Sequence, residues 1–170
     1  METLEIMRTH TVIDSPIGKL TLVAEGGALV GVYMEQHSRK PAATTLGAPV
    51  ECGFEAVIEQ FDEYFAGTRT AFDLALRPEG EDFQLSVWEL LRGIPYGQTR
   101  SYGELAKELG DPALARAVGA ANASNPLSIV VPCHRVVGAD GSLVGYAGGL
   151  ERKRFLLDLE RPGERAGRLF

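Results

Sequence analysis

Cysteine and histidine are scarce in this chain. Its 170 residues hold two cysteines, Cys52 and Cys133, and three histidines, His10, His37 and His134. A disulfide framework needs more cysteines, and a structural zinc site needs about four suitably spaced ligands, so a cytosolic thiol is the simpler reading and no metal is expected. Long apolar runs are also missing: nothing approaches the roughly 18 consecutive apolar residues that mark a membrane span. The opening METLEIMRTH has neither the charged head nor the apolar stretch of a secretory signal. A cytoplasmic protein of the bacterial cytosol or nucleoid, without membrane contact, is expected. Positive charge is short too, with a net charge of -6, which argues against coating nucleic acid by bulk attraction. The shortage is one-sided. Residues 1–80 carry six Lys/Arg against twelve Asp/Glu, whereas residues 81–170 carry eleven of each. A DNA-binding surface would therefore belong to the second half, as a local patch.

What is present is a normal apolar complement, 45% of the chain, enough for a real core. Residues 9–34 read as a β-meander, in which HTVI, KLTLVA and LVGVYM are separated by the turn signals SPIG and EGG. Residues 36–51 read as a loop. Phe54, Val57, Ile58, Phe61, Tyr64 and Phe65 fall at helical spacing over 54–66, FDLAL at 72–76 reads as a short strand, and RPEGED at 77–82 as a linker. The second half is mainly helical. Phe83, Val87, Leu90, Leu91 and Ile94 mark one helix, and Ser101 with Glu104 forms a capping box for a helix over 102–109. Asp111 and Pro112 start another over 112–123. SIVVP at 128–132 reads as a buried strand or extended run, 138–149 as a glycine-rich loop, and 151–160 as a last helix with Phe155, Leu156 and Leu159 inward. The tail RPGERAGRLF reads as frayed. The fold class expected is α/β (α+β): an N-terminal domain, 1–80, with a small antiparallel sheet and a helix, then a mainly helical domain, 81–170, with a helix-turn-helix.

The second helix of that pair, PALARAVGAANASN, is almost all Ala and Gly, and only Arg116 is long. Small side chains let helices pack closely; they equally let a backbone lie against DNA. In the second case Arg116 is the one probe long enough to fill the gap left by an extruded base. PCHRV at 132–136 is the segment that carries chemistry. A free thiol has a pKa near ~8.5, so a nucleophilic Cys133 needs a base. His134 adjoins it. On an extended backbone neighbouring side chains point to opposite faces, so a bridging water is expected between them, with a carboxylate behind the imidazole as in a triad. Glu160 is a candidate from chain order alone.

PCHRV, with IPYGQTRSYGELA and ARAVGAANASNP before it and GYAGGLERKRFLL after it, resembles the O6-alkylguanine-DNA alkyltransferase family from about Phe83 to Glu160. The first half is similar only through SPIGKLTL. The resemblance implies direct repair of O6-alkylguanine, extending to O4-alkylthymine, by a single irreversible transfer of the alkyl group to Cys133 from a base flipped out of double-stranded DNA. His134 would be the base acting through water, Glu160 the carboxylate that orients it, and Asn125 a member of the same network. Tyr102 would contact the flipped base and donate a proton as it leaves. Arg116 would be the finger, with Ala117, Ala120 and Ala121 lying in the minor groove. Tyr146, Ala147, Val136 and Asn122 would line the pocket, and the backbone carbonyls of Cys133 and Val136 would accept from the guanine amine. Ala147 and Asn122 depart from residues found in some members. The resemblance implies no cofactor and a monomer. A lesion-binding relative without chemistry would lack the acceptor cysteine, which is present. A cysteine hydrolase fits adjacent Cys and His poorly, and a sequence-reading regulator would need more base contacts than one Arg offers.

Overall fold

The computed structural model describes residues 7–37 and 40–162. The chain forms two compact units, residues 1–79 with 126–130, and residues 80–125 with 131–170.

In the first unit β1 (Arg8–Ile13), β2 (Leu20–Glu25) and β3 (Ala28–Met34) form the expected meander, antiparallel throughout, with a bulge between Val23 and Ala24. The sheet is nevertheless mixed. A two-residue strand inside the expected loop, β4 (Ala48–Pro49), pairs parallel to β1 and gives the order β3-β2-β1-β4. Gly47 makes that pairing possible: its φ is +79°, and a Cβ there would sit 1.9 Å from the Arg8 carbonyl oxygen. The helix α1 (Glu55–Phe65) buries Phe61 and Tyr64, whose rings pack on Phe72 at 5.1 and 5.4 Å between centroids. FDLAL is not a strand. Phe72, Leu74 and Leu76 turn inward alternately, but among the described residues the pairing is one bridge, Leu29 with Leu76. The stretch from Ser128 to Pro132 is likewise not a strand. Leu127 bridges Val32, then Ile129, buried and at φ +73°, turns the chain. A β-branched residue in that region is a true outlier and marks local strain.

The second unit carries α2 (Asp82–Arg92), β5 (Arg100–Ser101), α3 (Tyr102–Glu108), α4 (Ala115–Ala123), β6 (Val136–Val137) and α5 (Leu150–Glu160). The capping box forms as expected: Ser101 Oγ accepts from Glu104 N at 3.1 Å, and Glu104 Oε1 accepts from Ser101 N at 2.9 Å. Asp111 caps a 3-10 turn, Pro112–Leu114, that leads into α4, so the second helix starts later than expected. Two inward assignments are corrected. Phe83 and Phe155 are exposed, while Val87, Trp88 and Leu91 fill the buried stripe of α2. On α5 that stripe is Lys153, Leu156, Leu157 and Glu160. The expected fraying of 161–170 falls, from 163 onward, outside the described residues. Among the described residues no helix is long and apolar enough to cross a membrane.

One bond anchors α4 to α2. Trp88 is buried, and its indole N–H donates to the Ala121 carbonyl at 2.8 Å. Trp88→Phe leaves that carbonyl only the Ser124 amide, at 3.1 Å, and loss of the one bond should cost about 0.5–1.5 kcal/mol, read as a lower urea midpoint at unchanged slope. An unchanged midpoint would show that the bond is not needed.

Candidate active site

The site is assembled by one short strand pairing. β5 and β6 are parallel, with Arg100 opposite Val136 and Ser101 opposite Val137. The turn Cys133–Arg135 runs directly into β6, and Tyr102 opens α3 directly after β5. The pairing therefore brings the N-terminal turn of α3 beside the cysteine turn. That turn is a single 3-10 turn, not the extended backbone expected, with Cys133 N donating to Val131 O at 2.8 Å and Arg135 N to Pro132 O at 3.0 Å.

Cys133 is buried, with 2% of its surface accessible. Burial pushes its thiol above the ordinary value; the Asn125 side chain, the Lys153 charge and the Tyr146 hydroxyl work against that. His134 is fully buried, and its Nε2 lies 2.8 Å from Glu160 Oε2. That bond makes Nε2 the protonated nitrogen of the neutral ring. Nδ1 is buried and has no hydrogen-bond partner among the described residues. Burial drives the imidazole below its usual value, Glu160 opposes, and Arg135 and Lys153 reinforce the fall. For Glu160, burial alone would raise the pKa; His134 and Arg135 outweigh it and hold the carboxyl well below the usual carboxylate range. The resting site is therefore thiol, neutral imidazole and carboxylate.

Two asparagines tie the end of α4 to the cysteine segment. Asn125 Nδ2 donates to Val131 O at 2.8 Å, and Asn122 Nδ2 donates to Cys133 O at 3.3 Å. Asn122 is thus a tie across the turn, and its side chain also acts on the Tyr102 hydroxyl. The Cys133 carbonyl also accepts from the Val136 amide that closes the turn, so both of its lone pairs are engaged, one of them in the longer bond from Asn122. Val136 is fully buried in β6. Tyr102 is half-buried, its phenol is pushed up by burial and by Cys133, and its hydroxyl donates to the Val144 carbonyl at 2.8 Å. Tyr146 and Ala147 lie half-buried in the same glycine-rich loop. On α4, Arg116, Ala117 and Ala120 are exposed. Ala121 is not: its side chain is buried, with 3% accessible, and its carbonyl holds Trp88, so it cannot join the outer face.

Two residues of the site are absent from the sequence reading. Lys153 is fully buried, and Nζ donates to Val144 O at 3.3 Å and Gly145 O at 3.1 Å, pinning the loop. Burial lowers its pKa to about 8, against the pull of Cys133. Arg135, also buried, grips Glu160. Helical spacing could have flagged Lys153, which stands three, four and seven residues before Leu156, Leu157 and Glu160 on one face.

Residues 82–162 match the model of the 6-O-methylguanine DNA methyltransferase DNA-binding domain, and residues 9–78 match the ribonuclease-like domain of the same enzymes. A methylated-DNA–protein-cysteine methyltransferase of Mycobacterium bovis is 50% identical over 89% of this chain and 92% of its own length. One of Methanosarcina acetivorans is 46% identical over 89% and 97%. The crystal structure of Mycobacterium tuberculosis OGT in complex with DNA superposes with a TM-score of 0.84 at 51% identity, covering 91% of this chain and 93% of that one. A match to a DNA-binding domain and a buried cysteine next in the chain to a buried His134–Glu160 pair thus meet in one class of protein. The chain belongs to the 6-O-methylguanine DNA methyltransferase family.

Glu160 sets a stability prediction. Its folded pKa is depressed, so its contribution is full above the unfolded value, near ~4.3, and is lost as pH falls through the folded one. Glu160→Gln leaves Arg135 buried without its counter-charge and should cost about 3–5 kcal/mol at neutral pH. The gap between wild type and variant should narrow below about pH 4. A gap in urea unfolding that is constant with pH would contradict the ionised carboxylate.

Proposed function

We propose that this protein reverses O6-alkylguanine damage, and O4-alkylthymine damage by the same chemistry, through one irreversible transfer of the alkyl group to Cys133. The observation that carries the reading is a buried thiol whose neighbouring imidazole is bonded through Nε2 to a buried carboxylate, leaving Nδ1 as the base. A water between Nδ1 and Sγ relays the thiol proton to His134, and Glu160 stabilises the imidazolium. The thiolate attacks the alkyl carbon, the carbon–O6 bond breaks, and the electron pair leaves with the guanine. Tyr102 neutralises the charge that develops on the departing base. For this its hydroxyl must exchange the Val144 carbonyl for the base. The product thioether has no good leaving group, so each molecule acts once.

The division of labour follows the chain. Residues 81–170 hold both the chemistry and the DNA contact. The exposed face of α4, with Ala117 and Ala120, lies in the minor groove of damaged duplex DNA, and Arg116 occupies the space of the extruded nucleotide. Asn125 holds the cysteine segment in line. Tyr146 and Ala147 pack on the base, while the carbonyls of Cys133 and Val136 accept from its amine, the first by exchanging its long bond from Asn122. The protein works as a cytosolic monomer and needs no cofactor.

Mixing the protein with duplex DNA carrying O6-methylguanine should add one methylene to the Cys133 peptide, with at most one methyl per molecule. Methylation elsewhere, or repeated turnover, would overturn the proposal. Arg116→Ala should keep the wild-type urea midpoint but repair duplex lesions roughly tenfold more slowly, the loss of about one to two kcal/mol of contact in the flipped state. Equal repair rates would remove Arg116 from base extrusion.

A further inference from the structure

Arg135 takes no part in the transfer itself, yet it is buried and its guanidinium is occupied on every side. Nε donates to Glu160 Oε1 at 2.8 Å, and Nη2 donates to Oε2 at 3.0 Å. Nη1 donates to the Ile94 carbonyl, just beyond α2, at 2.6 Å. The guanidinium carbon lies 5.7 Å from the centroid of the Tyr96 ring. Glu160 Oε2 receives His134 Nε2 at the same time, and the Gly97 amide approaches Oε1 at 3.5 Å. A two-point fork fixes a planar carboxylate in rotation as well as in position, which one imidazole N–H cannot do.

We propose that Arg135 is a positioning residue for alkyl transfer: its fork locks Glu160 in the orientation that receives His134 Nε2–H, and its fixed charge offsets the carboxylate's pull on the ring that takes the Cys133 proton at Nδ1. The inference rests on the reading of Cys133 as acceptor and His134 as its base. A bare carboxylate beside an imidazole draws a proton onto the ring. A carboxylate already paired with a fixed cation draws much less, while still holding the ring in place. Three charged groups act on that ring: Glu160 and Lys153 from α5, and Arg135 from its own turn. Glu160 favours the imidazolium, whereas burial and the two cations disfavour it. Arginine suits the task because it does not lose its proton when buried, whereas Lys153 is already brought down to about 8.

Two measurements test this. Nitrogen NMR of His134 in the wild-type protein should show a neutral ring at pH 7 with its proton on Nε2. The pH profile of single-turnover methyl transfer should then be compared for wild type, Arg135→Lys and Arg135→Gln. Below the imidazole pKa the base is already protonated, so the rate falls on the acid side. In Arg135→Gln that acid limb should move up by about one pH unit, as expected when a nearby cation is removed. In Arg135→Lys the limb should stay near its wild-type position while the plateau rate falls roughly tenfold, because the charge remains and the fork is lost. A wild-type ring that is charged at pH 7, or an Arg135→Lys protein with the wild-type plateau, overturns the proposal whether or not Arg135→Gln folds. An acid limb at the same pH in all three proteins also overturns it. Failure of wild-type protein to methylate Cys133 at all is a different result: it removes the reading of the acceptor, and the mass of the Cys133 peptide separates the two.

Discussion

A single buried negative charge organises the chemistry of this protein. Glu160, at the last turn of α5, is held between a guanidinium and an imidazole. Burying a carboxylate alone is costly enough that the group would protonate instead. Here the partners reverse that outcome. In the proposed mechanism the consequence reaches the thiol in two steps: the carboxylate sets which nitrogen of His134 carries the proton, and the other nitrogen is then the base for Cys133. The resting state is uncharged at the sulfur, because burial disfavours the thiolate. Such a thiol reacts only when a bound base and a relayed proton make ionisation worthwhile, which suits a residue that can be used once.

The fold delivers these groups with short, specific pieces. A parallel pairing of two residues per strand sets α3 beside the cysteine turn. Two asparagine amides tie that turn to the end of α4. The Trp88 indole fixes α4 from its inner side, which leaves Arg116, Ala117 and Ala120 facing outward. Lys153 holds the glycine-rich loop by its carbonyls while lending positive charge to the thiol. The same α4 thus braces the reactive turn on its buried side and offers small residues to a partner on the other.

Much of this was legible in the amino-acid order. The meander, the capping box and the helices of the second half follow from periodicity and from Ser, Asp, Pro and Gly at their ends. Cys133, His134 and Glu160 stand out by residue type and order. What escaped was tertiary. FDLAL alternates like a strand but finds a partner only at Leu76. β4 is two residues long and rests on Gly47, too short for any pattern. Phe83 and Phe155 occupy helical positions that read as inward, yet Trp88 and Lys153 take the buried stripes. The turn at Cys133–Arg135 reads as extended because its Val-rich flanks do. Arg135 escaped as well, since nothing local says that its fork meets a carboxylate twenty-five residues further on.

The ionisation of that carboxylate is the most direct test. Carbon NMR of the Glu160 side chain, followed from neutral to acid pH in the folded protein, should show it charged throughout the range in which ordinary carboxylates take up protons. A Glu160 that titrates in that ordinary range would contradict the account, because neither the tautomer of His134 nor the activation of Cys133 would then have a cause.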